Sequence, residues 1–422
     1  MTNKLNSTNI VPFQSRNNIK FITTSVWIDY IIDSKGEVLE KRQVAVIALK
    51  NKDAEVDVIH PVSDFILKKY GHRKYNTQRK HANNLMSFLN YLLTNRKWSN
   101  IDCLEELQLS HVNQFLNKLT SEGKSRETVY GADKTLTYFY KWLSDEGCLP
   151  NVPPELFEQK KRKNQHGLIY YESIFEYLKP SNIGIVKEQS LPIKYIPLLM
   201  EIATIVAKPI ALGIYFQIFG GLRSGEVVNI KRTQVTRNIK SNDFIVDLQS
   251  RHFRSDINDS SGSSYVKKPR KQQIYMIYDW GKALYKEHIE LYKPTDNSNA
   301  LFVNRDGKAM SGKSYRQYFD KTKRYFINFL ADYGDLEARQ LASKLRIRRW
   351  STHIGRGTFT NFIAENTENP IEVMYARGDK SIFSSLPYLA RTERLRKKME
   401  EKFQHMQGTY IPNLIERRNE EK

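Results

Sequence analysis

Residues 195–230 read YIPLLMEIATIVAKPIALGIYFQIFGGLRSGEVVNI, and this stretch decides the architecture. Its first part, 195–222, is the most apolar in the chain. Glu201, Lys208 and Pro209 interrupt the apolar run, so it reads as buried core helices and not as a membrane span. Gly220 and Gly221 end one helix, and Ser224 can cap the next. Arg223 and Glu226 stand three apart, so on a helical turn they share a face. A carboxylate so placed orients a guanidinium and leaves the rest of its fork for a phosphate. Taken alone, the pair is an ordinary helix salt bridge.

Upstream, Val26, Ile28 and Tyr30 alternate with Trp27, Asp29 and Ile31. After a DSKG turn, Val44, Val46 and Ala48 alternate again, which predicts a hairpin in a β-rich module over 1–70. Lys41, Arg42, Lys50 and Lys52 surround it, consistent with contact to DNA arm sites or with a plain extension of the fold. Between 74 and 150 three apolar stripes recur at helix spacing: Leu85, Phe88, Leu89, Leu92; Val112, Phe115, Leu116, Leu119; and Leu136, Phe139, Tyr140, Leu143. Together they predict a small helical bundle over 71–152, with Ser110 and Ser125 as helix starts. Pro150, Pro153 and Pro154 then break the pattern. Lys160, Lys161, Arg162 and Lys163 follow, so 153–190 reads as a basic linker lying along DNA or as a solvated charge run.

Downstream, residues 191–422 read as a mostly helical domain with an interposed β region. Phe244, Val246 and Leu248, then Ile274, Met276 and Tyr278, are strand-like around a polar loop at 255–264. Helical pattern resumes near 281 and runs through 345. In THIGRGTFTNFIAE (352–365), Thr352 can cap a helix on which His353 and Arg356 lie three apart. Gly355 and Gly357 each cost a helix about 1 kcal/mol relative to Ala. Two such costs in one turn predict close backbone approach to a neighbour such as a nucleic-acid strand. A third motif, ARGDKSIFSSLPYLA (376–390), places Tyr388 ten residues after Gly378.

The chain has 422 residues and a formal net charge of +21. That size suggests two or three domains, and that charge points to a polyanionic partner. Two cysteines, Cys103 and Cys148, form neither a disulfide framework nor a metal-ligand spacing, and read as buried thiols in a reducing cytoplasm. The polar N-terminus lacks the apolar core of a signal peptide. No metal or other cofactor is called for.

In order and spacing, GGLRSGEVVNI, HIGRGTFT and RGDKSIFSSLPY resemble the three active-site boxes of the tyrosine recombinase (phage integrase) family, site-specific DNA recombinases. The 74–150 bundle resembles that family's helical, SAM-like core-binding domain. The resemblance implies a mainly α fold with small β-sheets, a core-binding domain and a mixed α/β catalytic domain. It implies cleavage and rejoining of double-stranded DNA through a 3′-phosphotyrosine intermediate, independent of metal and ATP. It also implies a homo-tetramer on paired sites. The tail over 391–422, with Leu395, Met399 and Phe403, either docks on a neighbouring protomer or closes its own domain.

By position, the resemblance makes Arg223 and Arg356 the phosphate clamp, Glu226 the buttress of Arg223, His353 a proton-transfer or phosphate-binding group, and Tyr388 the nucleophile. A general-acid lysine is expected on the β-hairpin after the first box. Lys268 is favoured there, with Lys267 and Lys271 as alternatives. Asp379 stands where the family has a second histidine. A carboxylate 4 Å from a phosphate is repelled by about 4 kcal/mol at an effective dielectric of 20. Asp379 is therefore expected to point away, to pair with Arg377 or Lys380, or to be protonated, with Lys380 taking over the phosphate contact. Two other readings are a type IB topoisomerase-like relaxing enzyme and a DNA-binding relative that has lost its chemistry. A bacterial, nucleoid-associated or mobile-element protein is expected.

Overall fold

The computed structural model describes residues 19–51, 57–95, 101–165, 167–181, 187–237, 243–257, 259–277, 279–367 and 369–379. Lys52, Tyr278, Lys380, Tyr388 and the 391–422 tail lie outside them. Over the described residues the chain is mainly α-helical with three small antiparallel sheets. It divides into two compact units. One runs to residue 185 and includes Ser255–Gly262. The other comprises Val186–Arg254 and the chain from Ser263 on.

In the first unit, β1 (Ile19–Ile32) and β2 (Val38–Asn51) form the expected hairpin, and β3 (Val58–Ile59) pairs with β2. Asp33 closes the turn by accepting backbone N–H bonds from Lys35 and Glu37 at 2.9 and 2.7 Å, and Gly36 supplies the left-handed residue at φ +85°. Strand β2 is buried continuously from Gln43 to Ala48, because helices α1 (Ser63–Tyr70) and α2 (Tyr75–Thr94) lie against it. Its outer edge is closed by side chains where no strand follows. The Ala45 N–H donates to Gln78 Oε1 at 3.0 Å, and the Ile47 N–H to Ser63 Oγ at 2.9 Å. Asn90 does the same for Phe21 of β1, accepting from its N–H and donating to its carbonyl. Buried backbone polar groups must be paired, and these three residues satisfy edges that would otherwise bind another chain. Arg42 is used internally, donating to the His72 and Arg73 carbonyls and lying over the Tyr30 ring.

Helices α3 (Leu109–Ser121) and α4 (Arg126–Asp145) complete the bundle, whose core joins Leu85, Phe88, Phe115 and Phe139. Ser125 caps α4 by accepting from the Thr128 N–H, whereas α3 begins one residue before Ser110. After α5 (Glu155–Gln159), the basic run folds into a short hairpin of β4 (Lys161–Lys163) with β5 (Ile169–Tyr171). Lys160, Lys161, Arg162 and Lys163 are exposed. Lys161 pairs with Glu158 and Arg162 with Glu172. The two cysteines are half-buried and free.

The second unit is built on the apolar stretch first quoted. It forms α6 (Ile196–Val206) and α7 (Lys208–Gly220), both with proline in their first turn. Every α7 residue from Ile210 to Gly220 is buried, which identifies it as the central helix of the core. No described helix is long and apolar enough to cross a membrane. Gly221 ends α7 in the left-handed region at φ +66°, with the Phe359 ring where a side chain would stand. Then come α8 (Ser224–Val227), β6 (Val235–Arg237), β7 (Phe244–Leu248) and β8 (Arg270–Ile274).

Strand β8 starts earlier than the apolar alternation predicted. Its register, Phe244 opposite Ile274 and Leu248 opposite Arg270, puts RKQQI in the sheet. The following backbone N–H groups of Tyr275, Met276 and Ile277 instead donate to the Phe219 carbonyl, Asp243 and the Tyr215 hydroxyl. The expected helical run past 281 is likewise broken between α9 (Trp280–Leu291) and α10 (Gly312–Tyr333). Helix α11 (Leu336–Ile347), α12 (His353–Asn366) and α13 (Pro370–Arg377) follow, with α12 packed on α7.

Candidate active site

The turn after α7 sets the first cation. Arg223 is the N-cap residue of α8. Its backbone N–H and its Nη1 both donate to Glu226, at 2.8 and 3.0 Å. Glu226 has no exposed surface, so its second side needs a partner. Arg270 of β8 supplies it, donating from Nη1 and Nη2 to the two carboxylate oxygens at 2.7 and 3.1 Å. Burial alone would raise the Glu226 carboxyl. The hydrogen bonds and charge of Arg270, with the charge of Arg223, hold it below the ordinary carboxylate value.

Helix α12 brings in the second and third groups. Arg356 is nearly buried. It donates from Nη1 to the Gly221 carbonyl and from Nη2 to the Arg377 carbonyl at 3.0 Å. Burial, reinforced by the charge of Arg223, brings its guanidinium down to about 9, still protonated at neutral pH. His353 opens α12, and its ring is accessible from the cleft. Loss of hydration in the site, then the charges of Arg223, Arg356 and Lys187, hold it below the ordinary histidine value. Thr352 donates to Ser224 Oγ at 3.4 Å, tying the start of α12 to α8.

These groups share a cleft of about 700 Å³ with Lys187, Lys323, Arg349, Trp350, Ser351 and Arg377 among its walls. Glu188, the one acidic wall residue among those described, is engaged by Lys344 and Arg348 at 2.9 and 3.2 Å. The cleft therefore gathers cations in a partly desolvated concavity, which favours an anion electrostatically. Among the described residues no cluster of His, Cys, Asp and Glu could hold a metal.

Asp379 does not point away. Its carboxylate turns inward, with Oδ1 at 3.1 Å from Arg356 Nη2 and 3.6 Å from Arg223 Nη2, and Oδ2 at 3.2 Å from Arg377 Nε. The pairing with Arg377 is thus present, alongside the contacts to Arg356 and Arg223. The closeness of three guanidiniums explains why a carboxylate is drawn in.

The two glycines of α12 also have a different cause from the one expected. A Cβ on Gly355 would lie 2.8 Å from Gln217 of α7, and one on Gly357 1.6 Å from the Gln189 backbone oxygen. Protein atoms, of Gln217 and of the Gln189 backbone, occupy the space beside both glycines. Gly357→Ala should therefore lower stability by about 1–3 kcal/mol despite the better helix former. Gly131→Ala in α4 meets the flexible end of Lys80 at 3.4 Å and Asn84 Nδ2 at an ordinary 3.9 Å, and should be neutral or gain up to about 1 kcal/mol. Denaturant midpoints of the two variants check the contrast.

Of the lysines expected on the hairpin, Lys271 faces outward from β8 and Lys267 is exposed. Lys268 is half-buried, in the loop before the strand, and none of the three lines the cleft. Arg270 was missed. On β8, alternation puts Arg270, Gln272 and Ile274 on the inner face, where Gln272 also donates to the Ala376 carbonyl at 2.8 Å. The strand parity of RKQQI was the available signal, hidden by the more apolar IYMI beside it. Lys187, Lys323 and Arg349 were missed as well, and no motif marks them.

The environment of His353 has a measurable consequence. Its folded pKa lies below the ordinary histidine value, so the unfolded chain takes up the proton first. The neutral ring contributes stability above about 6.5, and that contribution declines as pH falls toward the folded value. Side-chain NMR titration should give an apparent pKa below 6.5, moving upward in Arg223→Gln. A value at or above 6.5 in the free protein contradicts the electrostatic picture.

No protein-family model matches the chain, and no curated protein matches it. Among solved structures it is similar to the XerH site-specific recombinase bound to its difH substrate, at 17% identity and TM-score 0.46, over 78% of this chain and 81% of that one. It is similar to the Tn1549 transposon integrase in complex with circular intermediate DNA, at 18% identity and TM-score 0.49, over 80% and 98%. It is also similar to a lambda integrase dimer bound to a core site, at 14% identity and TM-score 0.44, over 77% and 91%.

Proposed function

We propose that the chain is a site-specific DNA recombinase that cuts and rejoins duplex DNA through Tyr388. One observation carries this reading: Arg223 and Arg356, from separate motifs, approach the same oxygen atom at 3.6 and 3.1 Å. Two fixed guanidiniums converging on one anionic oxygen are what a scissile phosphate requires. Glu226 and Arg270 brace the first of them, and the Gly221 and Arg377 carbonyls hold the second. In the proposed reaction the Tyr388 phenolic oxygen attacks phosphorus and the bond to the 5′-oxygen breaks. The products are a 3′-phosphotyrosine and a 5′-hydroxyl that takes up a proton. The reverse attack reseals the strand, so the phosphoester energy is kept and neither ATP nor metal is consumed. His353, neutral in the cleft, accepts a proton or donates a hydrogen bond to the phosphate. Lys268 is the proposed proton donor to the leaving oxygen, with Lys267 and Lys271 as alternatives. Lys160, Lys161, Arg162 and Lys163 are proposed to meet the DNA backbone. The working form is a homo-tetramer on two duplexes in a bacterial cytoplasm, acting in integration or transposition of a mobile element.

The test needs no knowledge of the target. The full chain is incubated with a library of randomised nicked duplexes in excess EDTA without ATP. The nick lets a short 5′-hydroxyl fragment diffuse away and traps the adduct. SDS-resistant protein–DNA species are recovered and sequenced, and a shared motif with the protein on a 3′-phosphate is expected. Binding to the library without any adduct under these conditions sinks the proposal.

A further inference from the structure

We infer that Asp379 is a positioning residue that takes the place of a backbone phosphate while DNA is absent, and gives up Arg223 and Arg356 when DNA arrives. The inference rests on the recombinase reading above. The carboxylate bridges the two guanidiniums through one oxygen, at 3.1 and 3.6 Å, while its other oxygen lies 3.2 Å from Arg377. This is the arrangement that the oxygens of a phosphodiester would adopt on the same cations. Glu226 cannot serve that role, because Arg270 engages both its oxygens. Three guanidiniums this close repel one another, so an anion between them keeps them assembled.

The clamp does not collapse when that anion leaves. Arg356 is held independently by the Gly221 and Arg377 carbonyls, and Arg223 by Glu226. Asp379 itself follows the left-handed Gly378, φ +62°, at the end of α13, and its N–H donates to the Met374 carbonyl at 3.0 Å. Phosphate and carboxylate repel, so the substrate enters by exchange of one anion for the other. Tyr388 follows Asp379 by nine residues.

The test uses the nicked duplex recovered by covalent capture, with wild type and Asp379→Asn measured in parallel. The neutral isostere removes the competing charge, so half-saturation should occur at about tenfold lower protein concentration or less. Adduct formation at limiting enzyme should rise with it. Unchanged or weaker half-saturation in a variant that melts with the wild type overturns the inference. If Asp379→Asn does not fold, amide exchange in Tyr388→Phe decides. Adding the nicked duplex should accelerate exchange at the Asp379 N–H, and unchanged or slower exchange overturns it. Wild type that forms no adduct sinks the recombinase reading instead, so the two failures are distinguishable.

Discussion

Tyr388→Phe will bind the captured nicked duplex and form no covalent adduct with it. The substitution removes one hydroxyl, the only atom the proposed chemistry takes from this side chain. Losing the nucleophile of a covalent mechanism should cost at least about 10⁴-fold in single-turnover cleavage. Binding should survive, because affinity for a duplex comes mainly from cations that neutralise phosphates. A gel-shift titration and an SDS gel on the same samples separate the two quantities. The proposal would fail if the phenylalanine variant still formed adduct, since another residue would then be the nucleophile.

Glu226→Ala should have the second largest effect, on both stability and rate. The carboxylate is fully buried and joins two guanidiniums at 3.0 and 2.7 Å. Removing it leaves Arg270 without the carboxylate that engages it and Arg223 with the longer contact to Asp379. Breaking a buried pair in this way costs about 3–5 kcal/mol. Cleavage by the remaining folded protein should fall about 10²–10³-fold, the usual loss when a preorganised charge on the reacting group is misplaced. Glu226→Gln separates shape from charge and should recover little of either. Since the folded pKa of Glu226 is depressed, its contribution is complete above the ordinary carboxylate pKa and is lost as pH falls through the folded value. Thermal melting against pH and saturating single-turnover assays check both arms. Wild-type melting and rate in Glu226→Ala would contradict the buttressing role.

Much of this arrangement could be read from residues close together in the chain. The hairpin around the DSKG turn, the helical stripes over 85–143 and the buried helices of 195–220 each follow from local periodicity. So does the Arg223–Glu226 pair, because residues three apart on one turn share a face whatever surrounds them. What could not be read depends on distant pairing. Arg270 reaches Glu226 only because β8 registers against Phe244–Leu248, and that register was obscured by the apolar residues that follow. Gly357 looked like an opening for a ligand because sequence shows the missing side chain but not Gln189, which fills the gap. Asp379 seemed incompatible with the site as long as the guanidiniums were pictured already holding a phosphate.

The side chains that close the β-ribbon have a consequence for how the first unit assembles. Ala45 and Ile47 donate to Gln78 and Ser63 in place of a neighbouring strand, so the ribbon is incomplete until the helices have docked. Its outermost amides should then resist solvent exchange as strongly as interior ones. A fragment ending before Ser63 would expose a hungry edge and self-associate, whereas the intact unit has no such edge to lend at these two positions and gains resistance to swapping its ribbon with another copy.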